Sequence, residues 1–165
     1  PYRGYDRVGQ NPFLFDDPVD PRLPAMERVL AVSLGGRTRL HPFAQLDRQA
    51  VVNEALGGIP YVVFAQARVR SALDAERIVD GRLIPAAGAY LRSLDGRALE
   101  FAQRESAIVD SQTGSRWNAL GEAVAGPLKG RRLEAVPGGV HFAFAWLAFR
   151  PDSEIYTPQP TLPTR

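Results

Sequence analysis

The chain has 165 residues, 45% of them apolar and 23% charged, values that suit one globular domain with a real core and argue against disorder. Its formal net charge is +2. The basic residues are scattered among acids without a long run, and Lys129 is the only lysine, so the high calculated pI reflects arginine and no nucleic-acid or anionic-membrane partner is expected. The absence of cysteine excludes disulfides, thiolate nucleophiles, iron–sulfur ligation and cysteine zinc sites. No apolar run approaches the roughly 20 residues of a membrane span.

In chain order, residues 1–26 come first and hold five of the fourteen prolines. Proline removes backbone donors and pushes its preceding residue to extended conformations, so this segment reads as an extended arm. Tyr2, Tyr5, Phe13, Leu14 and Phe15 make it too apolar for a free tail, and it is expected to lie against the body of the domain or a partner. The chain opens on Pro1 with neither Met nor a signal-peptide core, which predicts a processed or trimmed product.

Next, Arg28–Leu34 alternates toward Gly35-Gly36 and is followed by Arg37–His41, a hairpin pattern. Phe43–Arg48 reads as one or two helical turns. Val51–Leu56, Gly57-Gly58 and Ile59–Ala65 give a second hairpin. Asp80-Gly81 between Ile78 and Leu83, and Asp95-Gly96 between Tyr90–Leu94 and Arg97–Phe101, predict two more, because both residue types tolerate positive φ. Ala107–Asp110, Arg116–Asn118, Glu122–Ala125 and Arg132–Val136 are further strand candidates. In His141–Arg150 the apolar residues fit both periods, and the small alanines favour a short helix ending at Pro151. An edge strand is expected near Glu154–Tyr156, and residues 158–165 form a proline-rich tail. These elements predict a mainly β (α+β) protein: a compact antiparallel β-sandwich or barrel-like domain over residues 27–157, with a few short helices and extended Pro-rich termini.

Four groups of residues, in this order, carry a family resemblance. They are Arg39-Leu-His41-Pro42; Val51-Val52-Asn53-Glu54 with Gly57-Gly58-Ile-Pro60; Asp110, Thr113-Gly114-Ser115 and Trp117 with Gly121, Gly126-Pro127-Leu128 and Gly130; and Trp146 with Arg150-Pro151-Asp152-Ser153. Over about Arg28 to Tyr156 the chain resembles the family known as domain of unknown function 3179. His41 stands where that family usually has tyrosine. Many members carry a Cys-Pro-Leu-Cys stretch after the second apolar strand and a histidine before the Val-Asn segment. This chain has Gln66, Val69 and Gln49 at those places. The thiol or imidazole chemistry that the family pattern suggests is therefore absent, and the chain looks like a cysteine-free branch. The resemblance implies an extracytoplasmic setting (periplasmic, secreted or membrane-associated) and implies no activity.

Two surfaces stand out as candidates. Asp110, Thr113, Ser115 and Trp117 combine a carboxylate, two hydroxyls and an aromatic face, a set that would suit a sugar or another small polar molecule. The same residues also suit a structural turn, with Asp110 and Thr113 bonding backbone N–H groups and Trp117 anchoring the next strand in the core. Tyr2, Tyr5, Phe13 and Phe15 of the arm are candidate contacts to a protein partner or a second copy. No catalytic residue, cofactor or metal site is predicted. Ser106 and Ser115 lack a nucleophile elbow, and a metal site at His41 or His141 would need acidic partners that nothing local enforces. The reading that follows is a non-catalytic binding or assembly domain, with a small-molecule-binding protein or enzyme around Asp110 and Trp117 as the alternative.

Overall fold

The structure is a computed structural model that describes residues 7–12, 15–70 and 83–158, and of residues 66–70 and 83–85 only the backbone. Strands dominate. In order they are β1 (Arg28–Leu34), β2 (Arg37–Pro42), β3 (Val51–Leu56), β4 (Ile59–Arg70), β5 (Leu83–Leu91), β6 (Ser93–Leu94), β7 (Arg97–Ala98), β8 (Phe101–Arg104), β9 (Ala107–Asp110), β10 (Arg116–Trp117), β11 (Ala123–Ala125), β12 (Gly138–Phe142) and β13 (Glu154–Ile155). Two short helices interrupt them, α1 (Phe43–Leu46) and α2 (Ala143–Phe149). The mainly β architecture is as predicted, and the sheets do not close into a barrel.

Three four- and three-stranded sheets carry the core. An outer sheet runs β12-β1-β2-β13, a middle sheet β3-β4-β5, and a third sheet β11-β10-β9-β8. The side chains show how they stack. Val29, Ala31 and Leu40 of the outer sheet pack against Ala143 and Leu147 of α2. The opposite face of β1, Leu30 and Val32, meets Val52, Tyr61, Val63 and Ala89 of the middle sheet. The far face of that sheet, Val51, Val62, Phe64 and Tyr90, meets Phe101, Trp117 and Ala123. β1 was expected to alternate, yet Val29 through Val32 are all buried. A strand covered by α2 on one side and a sheet on the other has no solvent face, so apolar residues run on without a break.

The hairpins predicted at Gly35-Gly36, Gly57-Gly58 and Asp95-Gly96 form with two-residue loops. Leu34 pairs with Arg37, Leu56 with Ile59 and Leu94 with Arg97. Positive φ at both loop residues, including 52° at Asp95 and 76° at Gly96, matches the right-handed twist of the strands they join. The Asp95-Gly96 hairpin is shorter than predicted, because Tyr90 and Leu91 belong to β5 and Phe101 to β8. The Asp80-Gly81 turn lies outside the described residues. The helix expected in His141–Arg150 starts at Ala143, after His141 and Phe142 have paired with β1 as strand residues. β13 lies at a sheet edge as predicted, and it runs parallel to β2.

Arg132–Val136 was expected to be a strand and makes no ladder. It crosses from one sheet to another: Leu133 N–H donates to Gly121 O at 2.8 Å, Leu91 N–H to Glu134 O at 2.8 Å, and Val136 N–H to Ala89 O at 2.9 Å. Its hydrogen bonds are divided between two neighbours, so only isolated bridges to Glu122 and Tyr90 result.

The arm docks on the body. The ring of Phe15 meets that of Phe144 edge-on with centroids 5.2 Å apart, Leu23 packs with the α2 cluster, and Met26 is fully buried. Arg22 donates to Ser153 O at 3.0 Å and to Pro151 O at 2.6 Å, tying the arm to the chain beyond α2.

Candidate functional site

The turn joining β9 to β10 brings Asp110, Thr113, Ser115 and Trp117 together, as their spacing suggested. Asp110 closes strand β9 facing inward and is fully buried. Its Oδ1 accepts from Thr113 N–H at 2.6 Å and Thr113 Oγ1 at 2.9 Å. Its Oδ2 accepts from the indole Nε1–H of Trp117 at 2.9 Å and lies 2.9 Å from Thr113 Oγ1. Thr113 Oγ1 and Ser115 Oγ are 2.7 Å apart, and Ser115 Oγ accepts from Leu128 N–H at 2.9 Å. A buried carboxylate persists when donors surround it, and here three donors, the Thr113 N–H, the Thr113 hydroxyl lying between the two oxygens and the Trp117 indole N–H, engage both oxygens. Trp117, 3% exposed, stands edge-on to Phe101 with centroids 5.5 Å apart. Gly126 closes the knot: its φ is +91°, and a Cβ there would sit 2.7 Å from Ser115 Cα. Carboxylate, hydroxyls and indole thus bond to one another and to the backbone, the geometry of a locked turn.

A second constellation faces open space. Gln49, Asn53, Glu54, Ala55, Arg92, Tyr156 and Pro158 line a cleft of about 520 Å³. β3 supplies its floor, the link between β5 and β6 supplies Arg92, and the segment after β13 supplies Tyr156 and Pro158. Asn53 is fixed by a two-way bond with the β8 backbone, donating to Phe101 O at 2.7 Å and accepting from Phe101 N–H at 2.9 Å. Tyr156 O–H donates to Gln49 Oε1 at 3.1 Å. Burial, with the negative charge of Glu54 adding to it, raises the Tyr156 phenol above its ordinary pKa, so it stays a neutral donor. Arg92 donates through Nη1 to Leu99 O at 2.9 Å and to Glu100 Oε1 at 2.5 Å. Glu54 Oε2 accepts from Arg39 Nη1 at 2.6 Å, and Arg39 in turn pairs with Glu154 at 2.7 Å. The side chains of Arg92 and Glu54 are only 13% and 23% exposed. Among the described residues neither Arg92 Nη2 nor Glu54 Oε1 has a hydrogen-bond partner in the chain.

Behind this wall lies His41. Strand alternation sends Leu40 toward α2 and His41 toward the middle sheet, where it is fully buried. Its Nε2 is 2.8 Å from the Tyr61 hydroxyl and its ring stacks on Tyr156 at 4.9 Å. Nδ1 is buried with no partner among the described residues. Burial, reinforced by the Arg39 charge, holds its pKa down to about 3, so the imidazole is neutral. Burial raises the Tyr61 phenol as well. His141, by contrast, is exposed and leans on the Trp146 ring at 4.5 Å. Among the described residues, no group of three or more His, Asp or Glu side chains is placed to hold a metal ion.

Of the arm residues singled out, Phe15 rests on Phe144 of the same chain, and Tyr2, Tyr5 and Phe13 lie outside the described residues. Gln66 and Val69 sit on β4 with a register shift between them, and only their backbone is described. Sequence reasoning did not find the cleft. Its residues come from three distant parts of the chain, and only Asn53, Glu54 and Gln49 had drawn notice, through the resemblance. Arg92 and Tyr156 gave no signal of their own. Among the described residues no helix is long and apolar enough to cross a membrane.

A family model described as "Protein of unknown function (DUF3179)" matches residues 1–153, so the match includes the arm as well as the sheets. No curated protein and no solved structure matches the chain.

Proposed function

Since the chain belongs to the family described as protein of unknown function DUF3179, whose description carries no activity, we propose a function from its surfaces: a non-catalytic binding domain that takes a small polar molecule in the cleft between Gln49, Glu54, Arg92 and Tyr156. The observation that carries this reading is the cleft itself, about 520 Å³ in volume and walled by shielded polar groups. Volumes of roughly 300–1,000 Å³ with a few convergent polar groups are usual for small-molecule sites. Gln49, which stands where the resemblance places a histidine in many relatives, lies on this wall. The Asp110 set supports the reading from the other side, because its polar groups serve the turn.

The non-catalytic part rests on the chemistry of the side chains. Ser115 Oγ bonds to Thr113 and to Leu128 N–H with no imidazole beside it, and His41 is a neutral, buried ring. Neither resembles an activated nucleophile with its base. The setting we propose is extracytoplasmic, following the family resemblance; fractionation of the host cell tests it, and recovery in the cytoplasm alone would end it.

Calorimetric titration with a panel of small sugars, amino acids and short peptides tests binding. Saturable heat with at least one class, weakened by Gln49→Ala, is the expected result. Silence across the panel, or binding that survives Gln49→Ala and disappears with Ser115→Ala in a folded protein, would return the site to the Asp110 turn.

An assembly role is a second reading, favoured by Phe149, which is 85% exposed at the end of α2. Light scattering of the chain and of Phe149→Ser tests it. A concentration-dependent oligomer lost in the variant supports it, and a monomer in both cases removes it.

A further inference from the structure

The walls of the cleft specify more than polarity. Arg92 and Glu54 are opposite charges on the same wall, linked by an Arg92 Nε contact to Glu54 O at 3.4 Å. Each is half-paired inside the chain. Arg92 gives Nη1 to Glu100, and Glu54 gives Oε2 to Arg39. That leaves a cationic donor, Nη2, and an anionic acceptor, Oε1, without partners among the described residues. Because both side chains are mostly shielded from water, charge pairing there is stronger than on an open surface. A purely anionic ligand would face Glu54, a purely cationic one would face Arg92, and an uncharged one would complete neither pair.

We propose that the ligand of this cleft is a zwitterion carrying an ammonium and a carboxylate on one small body, an amino acid or a short peptide. The carboxylate meets Arg92, with the planar guanidinium as its natural partner, and the ammonium meets Glu54. Gln49 offers an amide Nε2 donor, its Oε1 being held by Tyr156, and this suits the carbonyl of a peptide bond. A volume of about 520 Å³ favours a peptide of two or three residues over a free amino acid. This inference rests on the binding reading above and narrows its ligand.

The test uses the full chain and changes the ligand, so it does not depend on a variant folding. Titrations are run with L-alanine, trialanine, trialanine amide, N-acetyl-trialanine and the doubly blocked N-acetyl-trialanine amide, with maltose as a neutral control. Trialanine is expected to bind, with each single blocking step weakening it about tenfold or more and the double block abolishing binding. Alanine binding as tightly as trialanine would assign the free amino acid. In Arg92→Gln, trialanine and trialanine amide should become equivalent. If maltose or the doubly blocked peptide binds and trialanine does not, the zwitterion is wrong while the cleft stands. If none of the six binds, both the inference and the peptide arm of the binding reading are overturned.

Discussion

The Asp110 turn and the Gln49–Arg92 cleft are built from the same kinds of group: carboxylate, amide, hydroxyl and an aromatic ring. They differ in where those groups point. At the turn both oxygens of Asp110 are engaged by the Thr113 N–H, the Thr113 hydroxyl and the Trp117 indole N–H, and Ser115 holds Leu128 N–H, so the set closes on itself behind Gly126. At the cleft Arg92 and Glu54 are each held by one hand, by Glu100 and by Arg39, and the other has no hydrogen-bond partner among the described residues. A polar cluster that is complete stabilises a fold, whereas one that is incomplete and shielded can recognise something. Composition alone does not distinguish the two.

The comparison can be broken at the turn first, where the effect should be largest. Trp117→Ala empties a buried indole site and strips Asp110 of a donor, and should cost about 3–5 kcal/mol in chemical denaturation. A variant that melts like the parent but loses a ligand would mean the turn is the site after all.

Below the cleft, the support offered by His41 can be read from pH. The folded chain resists protonating His41 until about pH 3, against an ordinary 6.5 in the unfolded chain. A depressed pKa that favours the neutral ring makes this contribution complete above pH 6.5, and it is lost as pH falls toward 3. At about 1.4 kcal/mol per unit the full loss is on the order of 5 kcal/mol. Denaturation curves from pH 7 to 3.5 should be distinctly flatter for His41→Phe than for the parent. Parallel curves would show that His41 is not held neutral by the fold.

Smaller effects belong to the cleft wall itself. Tyr156→Phe removes one hydrogen bond to Gln49 while leaving the ring stacked on His41, and should cost about 1 kcal/mol or less of stability. It should nonetheless weaken ligand binding, since the orientation of Gln49 is then unfixed. A large loss of stability would place Tyr156 with the turn residues, as scaffold. Smallest of all is Arg131→Ala, which removes an exposed pair with Asp95 and should leave the melting temperature unchanged within error; a clear drop would show that the β6–β7 hairpin depends on it.

How much was legible in the sequence follows from how local each feature is. The Gly35-Gly36, Gly57-Gly58 and Asp95-Gly96 hairpins are dictated by residues within two positions of each other, and they form with the expected pairing. The Asp110–Trp117 turn spans eight residues and was equally visible. Arg132–Val136 misled because its alternation is real while its partners are split between two sheets. β1 misled in the opposite direction, since burial on both faces erased the alternation expected of it. The cleft was hidden because Gln49, Arg92 and Tyr156 meet only through the stacking of sheets. The role of His41 was equally hidden, since only the stacking of β2 on the middle sheet sets it against Tyr61.

The most direct test of this contrast is a pair of variants measured for both properties, unfolding free energy and trialanine affinity by calorimetry. Ser115→Ala, at the closed turn, should lower stability and leave affinity unchanged; Arg92→Gln, at the open wall, should lower affinity by about tenfold or more with a smaller change in stability. The reverse outcome, with Ser115→Ala abolishing binding in a stable fold and Arg92→Gln binding normally, would contradict the assignment of scaffold and site.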